Sequence, residues 1–358
     1  MSRVYNFSAG PATLPLDVLE EAQRDLVDFK GAGMSIMEAT HRGKVYEPLH
    51  AEAQANLREL MGIPEDYAVL FLQGGASMQF GMVPMNLLGA GQVADYTNSG
   101  AWGEKAIKDA QKIGAVNVAA DTCADIPTRV PTPDSLKLTS GAAYLHITSN
   151  ETISGAQWKH FPKVDVPVVV DMSSDILSRP INVKDFGLIY AGAQKNLGPS
   201  GVTLVIIRKD LAERCPKNVP TMLKYSTHIE NDSLYNTPPC FGIYILMLVT
   251  RWIKKQGVQN LYAKNVAKAK KLYDLFDGSG GFYKGTAVKE FRSDMNVTFR
   301  LPTEEQEAAF LAEAGKAGFK DLKGHRSVGG IRASIYNAFP SEGVDALVAF
   351  MKDFQRRA

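Results

Sequence analysis

The sequence predicts an α/β fold built from two unequal units. Short apolar runs alternate with amphipathic stretches through most of the chain, the pattern of strands exchanging with helices. Past Gly278-Ser279-Gly280-Gly281 the order changes to strand, helix, strand, helix, which marks a smaller α+β unit. Two successive apolar runs also deliver an ionisable residue at their ends, Asp171 and Lys195, where open α/β sheets gather their ligand sites.

Residues 17–30 and 47–61 carry helical periodicity. Ala68 to Leu72 reads as a short strand stopping at Gln73-Gly74-Gly75, and the apolar run Met78 to Leu88 that follows reads as a helix. Strand candidates come next at 92–96, 116–119, 142–147, 166–171, 186–191 and 202–208. A long helical segment covers about 241–276, and its Lys264, Lys268, Lys270 and Lys271 are expected to form a solvated face. The remainder gives a strand at Met295–Arg300, a helix at Glu304–Lys316, a strand at Gly330–Tyr336 and a final helix over about 343–355. There is no internal repeat and no low-complexity segment. The larger unit is placed at 17–260 and the smaller at 261–358, with 1–16 as an N-terminal segment packing on the smaller one; a long helix can bridge the two.

A chain of 358 residues has about two domains as its prior expectation and room for a sizeable core. With 45% hydrophobic and 22% charged residues its composition is that of a globular protein, and a net charge of +2 is too balanced for a nucleic-acid or membrane-surface partner. The apolar stretch Phe241–Val249 is far short of the roughly 20 residues of a membrane span, and the N-terminus lacks the apolar core of a secretory signal, so a cytoplasmic location is expected. Cys123, Cys215 and Cys240 are few, odd in number and form no CxxC pair, so neither a disulfide framework nor a metal site is expected.

Three features carry chemistry. Lys195 lies in Gly192-Ala193-Gln194-Lys195-Asn196-Leu197-Gly198-Pro199, where a strand gives way to a Gly/Pro turn; there it can present its amine at the sheet rim to form a Schiff base with a carbonyl cofactor, or stand as a solvated lysine. Gly74-Gly75-Ala76-Ser77 opens a helix, whose free amides and dipole attract an anion, although a Gly-Gly turn is more often only a turn. Two His-Arg pairs, His41-Arg42 and His325-Arg326, and the nearby Arg332 offer planar forks for carboxylate or phosphate oxygens. Trp102, flanked by glycines in Gly100-Ala101-Trp102-Gly103, can lay its indole on a flat ring or serve in packing. A competing signal, Gly89-Ala90-Gly91-Gln92-Val93-Ala94 with Asp109 about twenty residues on, fits the dinucleotide fingerprint of an NAD-dependent dehydrogenase, but a helix precedes it and a strand follows, the reverse of the required order.

Asp171 and Lys195 together supply what a pyridoxal phosphate enzyme needs, a carboxylate for the pyridine nitrogen and an amine for the aldehyde. With the blocks Asn6-Phe7-Ser8-Ala9-Gly10-Pro11, Ala39-Thr40-His41-Arg42-Gly43, Asn150-Glu151-Thr152 and Gly324-His325-Arg326-Ser327-Val328-Gly329-Gly330, the chain resembles the fold type I pyridoxal phosphate enzymes nearly end to end, and within their class V aminotransferases the phosphoserine aminotransferase family. The resemblance implies a large domain with a mainly parallel seven-stranded sheet plus a smaller C-terminal α+β domain, and pyridoxal 5'-phosphate as cofactor. It assigns the cofactor phosphate to the amides of Ala76 and Ser77 with Gln194, Asn236 and Thr237, the ring face to Trp102, the phenolic oxygen to Thr152, the pyridine nitrogen to Asp171 and the aldehyde to Lys195. It assigns the substrate α-carboxylate to Arg332 and a distal phosphate to His41, Arg42, His325 and Arg326. It further implies a homodimer with shared sites, in which Asn236, Thr237, His325 and Arg326 reach across, and glutamate, 2-oxoglutarate, phosphoserine and 3-phosphohydroxypyruvate as substrates, with a phospho-oxo acid of vitamin B6 biosynthesis as a further candidate. Other family members carry an arginine in place of Ser77. Cysteine desulfurases share the fold but need a cysteine on a mobile loop, serine–glyoxylate aminotransferases need no paired His-Arg sites, and pyridoxal-binding regulators usually append a DNA-binding module.

Overall fold

A computed structural model describes residues 3–123 and 126–358. The chain opens with a two-residue strand β1 (Tyr5–Asn6) and helix α1 (Leu16–Arg24). The periodicity carries this helix to residue 30, yet it ends at Arg24, where Asp25 (φ −88°, ψ 1°) leaves helical backbone; Lys30, Gly31 and Gly33, left-handed at φ 53°, 80° and 71°, bar a helix from running through residue 30. Helix α2 (Glu47–Met61) closes on a left-handed Gly62 and is followed by β2 (Tyr67–Leu72), α3 (Gly75–Leu87), β3 (Val93–Asn98), α4 (Ala101–Ala110) and β4 (Ala115–Asp121). Next come β5 (Leu145–Thr148), a small hairpin of β6 (Asn150–Glu151) and β7 (Ala156–Gln157), then β8 (Val168–Asp171), β9 (Leu188–Gly192) and β10 (Thr203–Arg208). Short helices α5 (Lys209–Ala212) and α6 (Tyr225–Glu230) precede the long pair α7 (Cys240–Gln256) and α8 (Val258–Gly278).

Seven strands form one sheet in the order β2-β10-β9-β8-β5-β3-β4, in which only β10 runs antiparallel to its neighbours. Strands β2, β5, β8 and β9 are buried along their whole length, because helices cover both faces of the sheet. Alternation along a strand divides the core: Val168 and Val170 join Leu57, Ile243 and Leu246 on one face, whereas Val169 and Tyr190 join Phe80, Val83 and Ile107 on the other. The Gly89–Ala94 segment leads from the end of α3 into β3, so the dinucleotide fingerprint has neither the strand before it nor the helix after it. Among the described residues no helix is long and apolar enough to cross a membrane.

A third core gathers around β11 (Lys284–Gly285), β12 (Asn296–Arg300), α9 (Glu304–Lys316), β13 (Phe319–Lys320), β14 (Ile331–Ser334) and α10 (Ser341–Arg357). Strand β1 pairs in parallel with β13 and buries Phe7 in that core. The segment read as one helix over 241–276 is two, broken at Gly257 with φ 78°. Helix α8 serves two cores, placing Leu261 in the first and Ala269, Leu272 and Phe276 in the third.

The expected solvated lysine face holds for Lys264, Lys270 and Lys271 but fails for Lys268, which is 2% exposed. It falls on the buried stripe of α8, and its Nζ donates to the carbonyls of Ile335 (2.9 Å), Tyr336 (2.7 Å) and Phe339 (3.1 Å). Burial pushes its pKa down to about 7. A charge count along the helix is blind to carbonyls delivered by a segment so distant in sequence. Replacing Lys268 by Met strands three buried acceptors, so Lys268→Met is expected to lose on the order of 3 kcal/mol in urea unfolding. The exposed control Lys264→Met should stay within about 0.5 kcal/mol, and equal losses for the two would refute the buried role.

Candidate active site

The parallel strands end at one edge of the sheet, and the turns that follow them surround a cavity of about 350 Å³. Ala76, Ser77, Trp102, Thr152, Asp171, Gln194, Lys195, His325 and Arg332 all line it. Asp171 arrives as the last residue of β8, and Lys195 in the turn leaving β9. Ala76 and Ser77 lie in the first turn of α3, entered through left-handed Gly74 (φ 88°) and Gly75 (φ 65°). The first bond of that helix runs from Met78 N to Gly74 O, which leaves the amides of Gly75, Ala76 and Ser77 without an intrahelical acceptor.

The amine of Lys195 donates to Thr152 Oγ1 at 2.7 Å and lies 5.9 Å from the centre of the Trp102 ring. Burial pushes its pKa down to about 8, Asp171 pulling it up and Arg332 adding to the fall. About one amine in ten is then neutral at pH 7, some two to three orders of magnitude more than for a free lysine. Asp171 is raised by the same desolvation, opposed by Ser173 and Lys195. Its Oδ1 accepts from Ser173 N (2.9 Å) and Ser173 Oγ (2.6 Å), whereas Oδ2 has no donor among the described residues. Three further polar atoms are buried at the cavity without a partner among the described residues: Trp102 Nε1, Thr148 Oγ1 and Arg332 Nε. Arg332 stands on β14 with Nη1 donating to Thr152 O at 3.3 Å. His325 faces Arg332, Arg326 and Lys105; burial first, then those cations, lower its pKa below the usual 6.5.

Five expected site residues lie elsewhere in the chain or at its rim. Arg42 Nη2 donates to the carbonyls of Leu234 (3.3 Å) and Tyr235 (3.5 Å), and Asn236 Nδ2 donates to Gln73 Oε1 (3.1 Å) beside the exposed Thr237. His41, Arg42, Asn236 and Thr237 therefore belong to loops outside the cavity of their own chain, and Arg326 is exposed beside His325 without lining it. Within the single chain, β14 and the turn before it bring His325 to the Lys195 cavity.

Sequence reasoning missed Ser173, which fixes Asp171 and itself accepts from Gly192 N at 3.0 Å, tying the ends of β8 and β9 together. The signal was legible: a serine two residues after an aspartate at a strand end is the pattern of a side-chain-to-backbone turn. Ala9, Gly10, Asn150 and Ser174 were also missed as cavity residues. A larger surface groove of about 510 Å³ lies away from these groups, lined by Lys159, Lys163, Arg179 and Lys184, with Arg179 already donating to the Trp158 and Lys159 carbonyls.

These residues fit pyridoxal 5'-phosphate. An amine of lowered pKa answers an aldehyde, a carboxylate oxygen without a donor answers a ring nitrogen, and helix amides without acceptors answer a phosphate.

The sequence pattern of the class-V aminotransferases matches residues 4–347. The chain is 57% identical over 358 residues to a phosphoserine aminotransferase of Geobacillus kaustophilus, covering 100% of this chain and 99% of that one. A solved phosphoserine aminotransferase from Bacillus circulans subsp. alkalophilus superposes with a TM-score of 0.97 at 56% identity, with 99% of each chain covered. The pyridoxal-phosphate-bound phosphoserine aminotransferase of Trichomonas vaginalis gives a TM-score of 0.94 at 41% identity, covering 98% of this chain and 100% of that one.

The opposed shifts of Lys195 and Asp171 give a direct test in the cofactor-free protein. Competitive labelling of Lys195 across pH, read by peptide mass spectrometry, should titrate with a midpoint near pH 8. Asp171→Asn removes the attraction that holds this pKa up, so the midpoint should fall further. An unchanged midpoint would mean that the two groups do not interact.

Proposed function

The chain belongs to the class-V aminotransferase family, and on that premise we propose that it is a phosphoserine aminotransferase, exchanging an amino group reversibly between glutamate and 3-phosphohydroxypyruvate to give 2-oxoglutarate and O-phosphoserine. The observation that carries this reading is one cavity with Lys195 and Asp171 on its floor and a cluster of cationic groups, Arg332, His325, Arg326 and Lys105, at its mouth. Bound pyridoxal 5'-phosphate supplies an aldehyde for the amine and a ring that accepts electrons from the substrate Cα.

The chain's own residues do the rest. Asp171, through Oδ2, keeps a proton on the ring nitrogen, while Ser173 keeps Oδ1 fixed. Trp102, Thr152, Ala76, Ser77 and Gln194 line the cavity, where Trp102 would cover one ring face, Thr152 would meet the phenolic oxygen, and the amides of Ala76 and Ser77 with the Gln194 side chain would hold the phosphate. Arg332, whose buried Nε lacks an acceptor, takes the substrate α-carboxylate as a planar fork. Lys195 would hold the cofactor aldehyde and, with its amine free, would move the proton from the substrate Cα to the cofactor carbon in one half-reaction and from that carbon to Cα in the other; a pKa near 8 suits both directions. His325 and Arg326 receive the distal anion, the phosphate of phosphoserine or the side-chain carboxylate of glutamate.

The remaining groups act in a homodimer. His41 and Arg42 keep company with Asn236 and Thr237 in loops outside their own cavity, so the four complete the partner's cavity from the other side. His325 and Arg326 serve their own chain.

Mixed dimers separate these roles. A Lys195→Ala subunit paired with an Arg42→Ala subunit retains one site with both groups intact and should recover close to half of the wild-type activity per dimer. A Lys195→Ala subunit paired with a His325→Ala subunit has no intact site and should recover none. The reverse pattern, measured on isolated heterodimers by glutamate-dependent phosphoserine formation, would overturn the assignment, and absence of that activity in the wild type would overturn the function.

The His325 shift sets a pH dependence. Burial, and after it the neighbouring cations, hold its pKa below 6.5 in the free cavity, and a bound phosphate dianion raises it, so binding takes up a proton in the window between the two values. Affinity for phosphoserine therefore gains from His325 as pH falls through the bound-state pKa, and the gain levels off below the free one. Comparison with His325→Gln across pH 5.5–8.5 isolates this component from the titration of the phosphate itself, and identical KM profiles would refute it.

A further inference from the structure

Glu151 is the one strongly perturbed carboxyl beside the cavity, among the described residues, that the mechanism above leaves without a task. It ends β6, is 1% exposed, and turns its carboxyl away from the cavity toward the start of α4. Ser99 Oγ donates to its Oε1 at 2.9 Å, while Oε2 is buried without a hydrogen-bond partner among the described residues. Helix α4 has Gly100 at its N-cap and no capping side chain of its own, and the Glu151 carboxyl, from a different strand, stands at its positive end and bonds to Ser99 just before it. Gly100 makes room for it. Its backbone is extended (φ 166°, ψ −173°), a conformation open to any residue, but a Cβ there would lie 2.6 Å from the Glu151 carboxyl carbon.

The neighbouring residue does the complementary work. Thr152 accepts from Lys195 Nζ at 2.7 Å and, through its carbonyl, from Arg332 at 3.3 Å. Two consecutive residues therefore connect the Trp102 wall to the amine and to the carboxylate-binding arginine. We propose that Glu151 is a positioning residue for this reaction, its buried carboxyl holding the start of α4 through Ser99 and the close fit at Gly100 and thereby fixing the Trp102 indole opposite Lys195. The inference rests on the reading of the cavity as a pyridoxal phosphate site. Charge supports the geometry: burial pushes the Glu151 carboxyl up to about 7, Asp171 adds to the rise, and the Ser99 hydroxyl, Lys195 and the Trp102 amide oppose it.

The test compares the holoenzyme with Glu151→Ala, Glu151→Gln, Gly100→Ala and the Glu151→Ala/Gly100→Ala double variant. Amide hydrogen exchange is followed over residues 99–104, with the first turn of α3 and the interior of α7 as internal references, and the pyridoxal phosphate dissociation constant is measured by spectroscopic titration. Glu151→Ala should accelerate exchange in 99–104 and weaken the cofactor roughly tenfold each, the size expected for losing one buried hydrogen bond, with the reference segments unchanged. Glu151→Gln keeps an acceptor oxygen in place and should recover most of both. Gly100→Ala should reproduce the loss when Glu151 is present and add almost nothing when Glu151 is Ala, because the group it strikes is then gone. Wild-type exchange over 99–104 in Glu151→Ala, equal acceleration in the reference segments, or equal effects of Gly100→Ala in both backgrounds would each overturn the proposal. Should Glu151→Ala fail to fold, Gly100→Ala and Glu151→Gln decide it alone, unchanged exchange over 99–104 in Gly100→Ala being the refuting result. If the cavity held a different cofactor, the wild type itself would fail the titration while the exchange comparison still reported on Glu151.

Discussion

The Lys195 amine and the Asp171 carboxylate sit at the ends of adjacent strands, both withdrawn from water and each attracting the other. Desolvation pushes the amine down and the carboxyl up, and the mutual attraction only partly reverses either shift. An isolated buried ion costs several kcal/mol, so the pair is tenable only where additional donors and acceptors are already in place. Ser173 gives Asp171 two of them, Gly192 N holds Ser173 in turn, and Thr152 receives the amine. Because these supports come from strand ends and from the β6 hairpin rather than from long side chains, the geometry is set before any ligand arrives.

The same logic explains how the C-terminal unit can serve a site built on the large sheet. Arg332 stands on β14, yet it must keep a fixed distance from Lys195. A buried seam of amides joins the two parts: Asn150 Nδ2 donates to Asn296 Oδ1 (2.8 Å), Asn337 N to Asn196 Oδ1 (3.0 Å), and Asn265 Nδ2 to Asn337 Oδ1 (2.8 Å). Lys268 adds three bonds from α8 to the segment between β14 and α10. Although Asn265 Oδ1 has no partner among the described residues, the bonds of this buried seam fix the C-terminal unit against the large sheet and with it the strand that carries Arg332.

Much of this was legible in the chain. The seven strand candidates of the large sheet all form, and the helix of 47–61 has the bounds its periodicity gives. The misses have distinct causes. Left-handed backbone at Lys30, Gly31 and Gly33 bars the first helix from running through residue 30, although it already ends at Arg24, and the 241–276 helix breaks at Gly257, which takes a positive φ. Lys268 was misread because its partners lie some seventy residues away in sequence. Ser173 was overlooked although its spacing from Asp171 announced it.

By itself the sequence determined where strands and helices lie and that Asp171 and Lys195 close consecutive apolar runs, since periodicity and turn residues report on neighbours a few positions apart. Motif resemblance extended that to a family and its cofactor. Only the tertiary structure decided which distant groups meet: that Arg332 meets Thr152 across 180 positions, that His325 lines the cavity of its own chain while Arg42 sits beside Leu234, and that the Glu151 carboxyl accepts from Ser99 at the start of α4. Those outcomes depend on how the layers close on one another in space, and a contact between remote segments leaves no periodic trace in either of them.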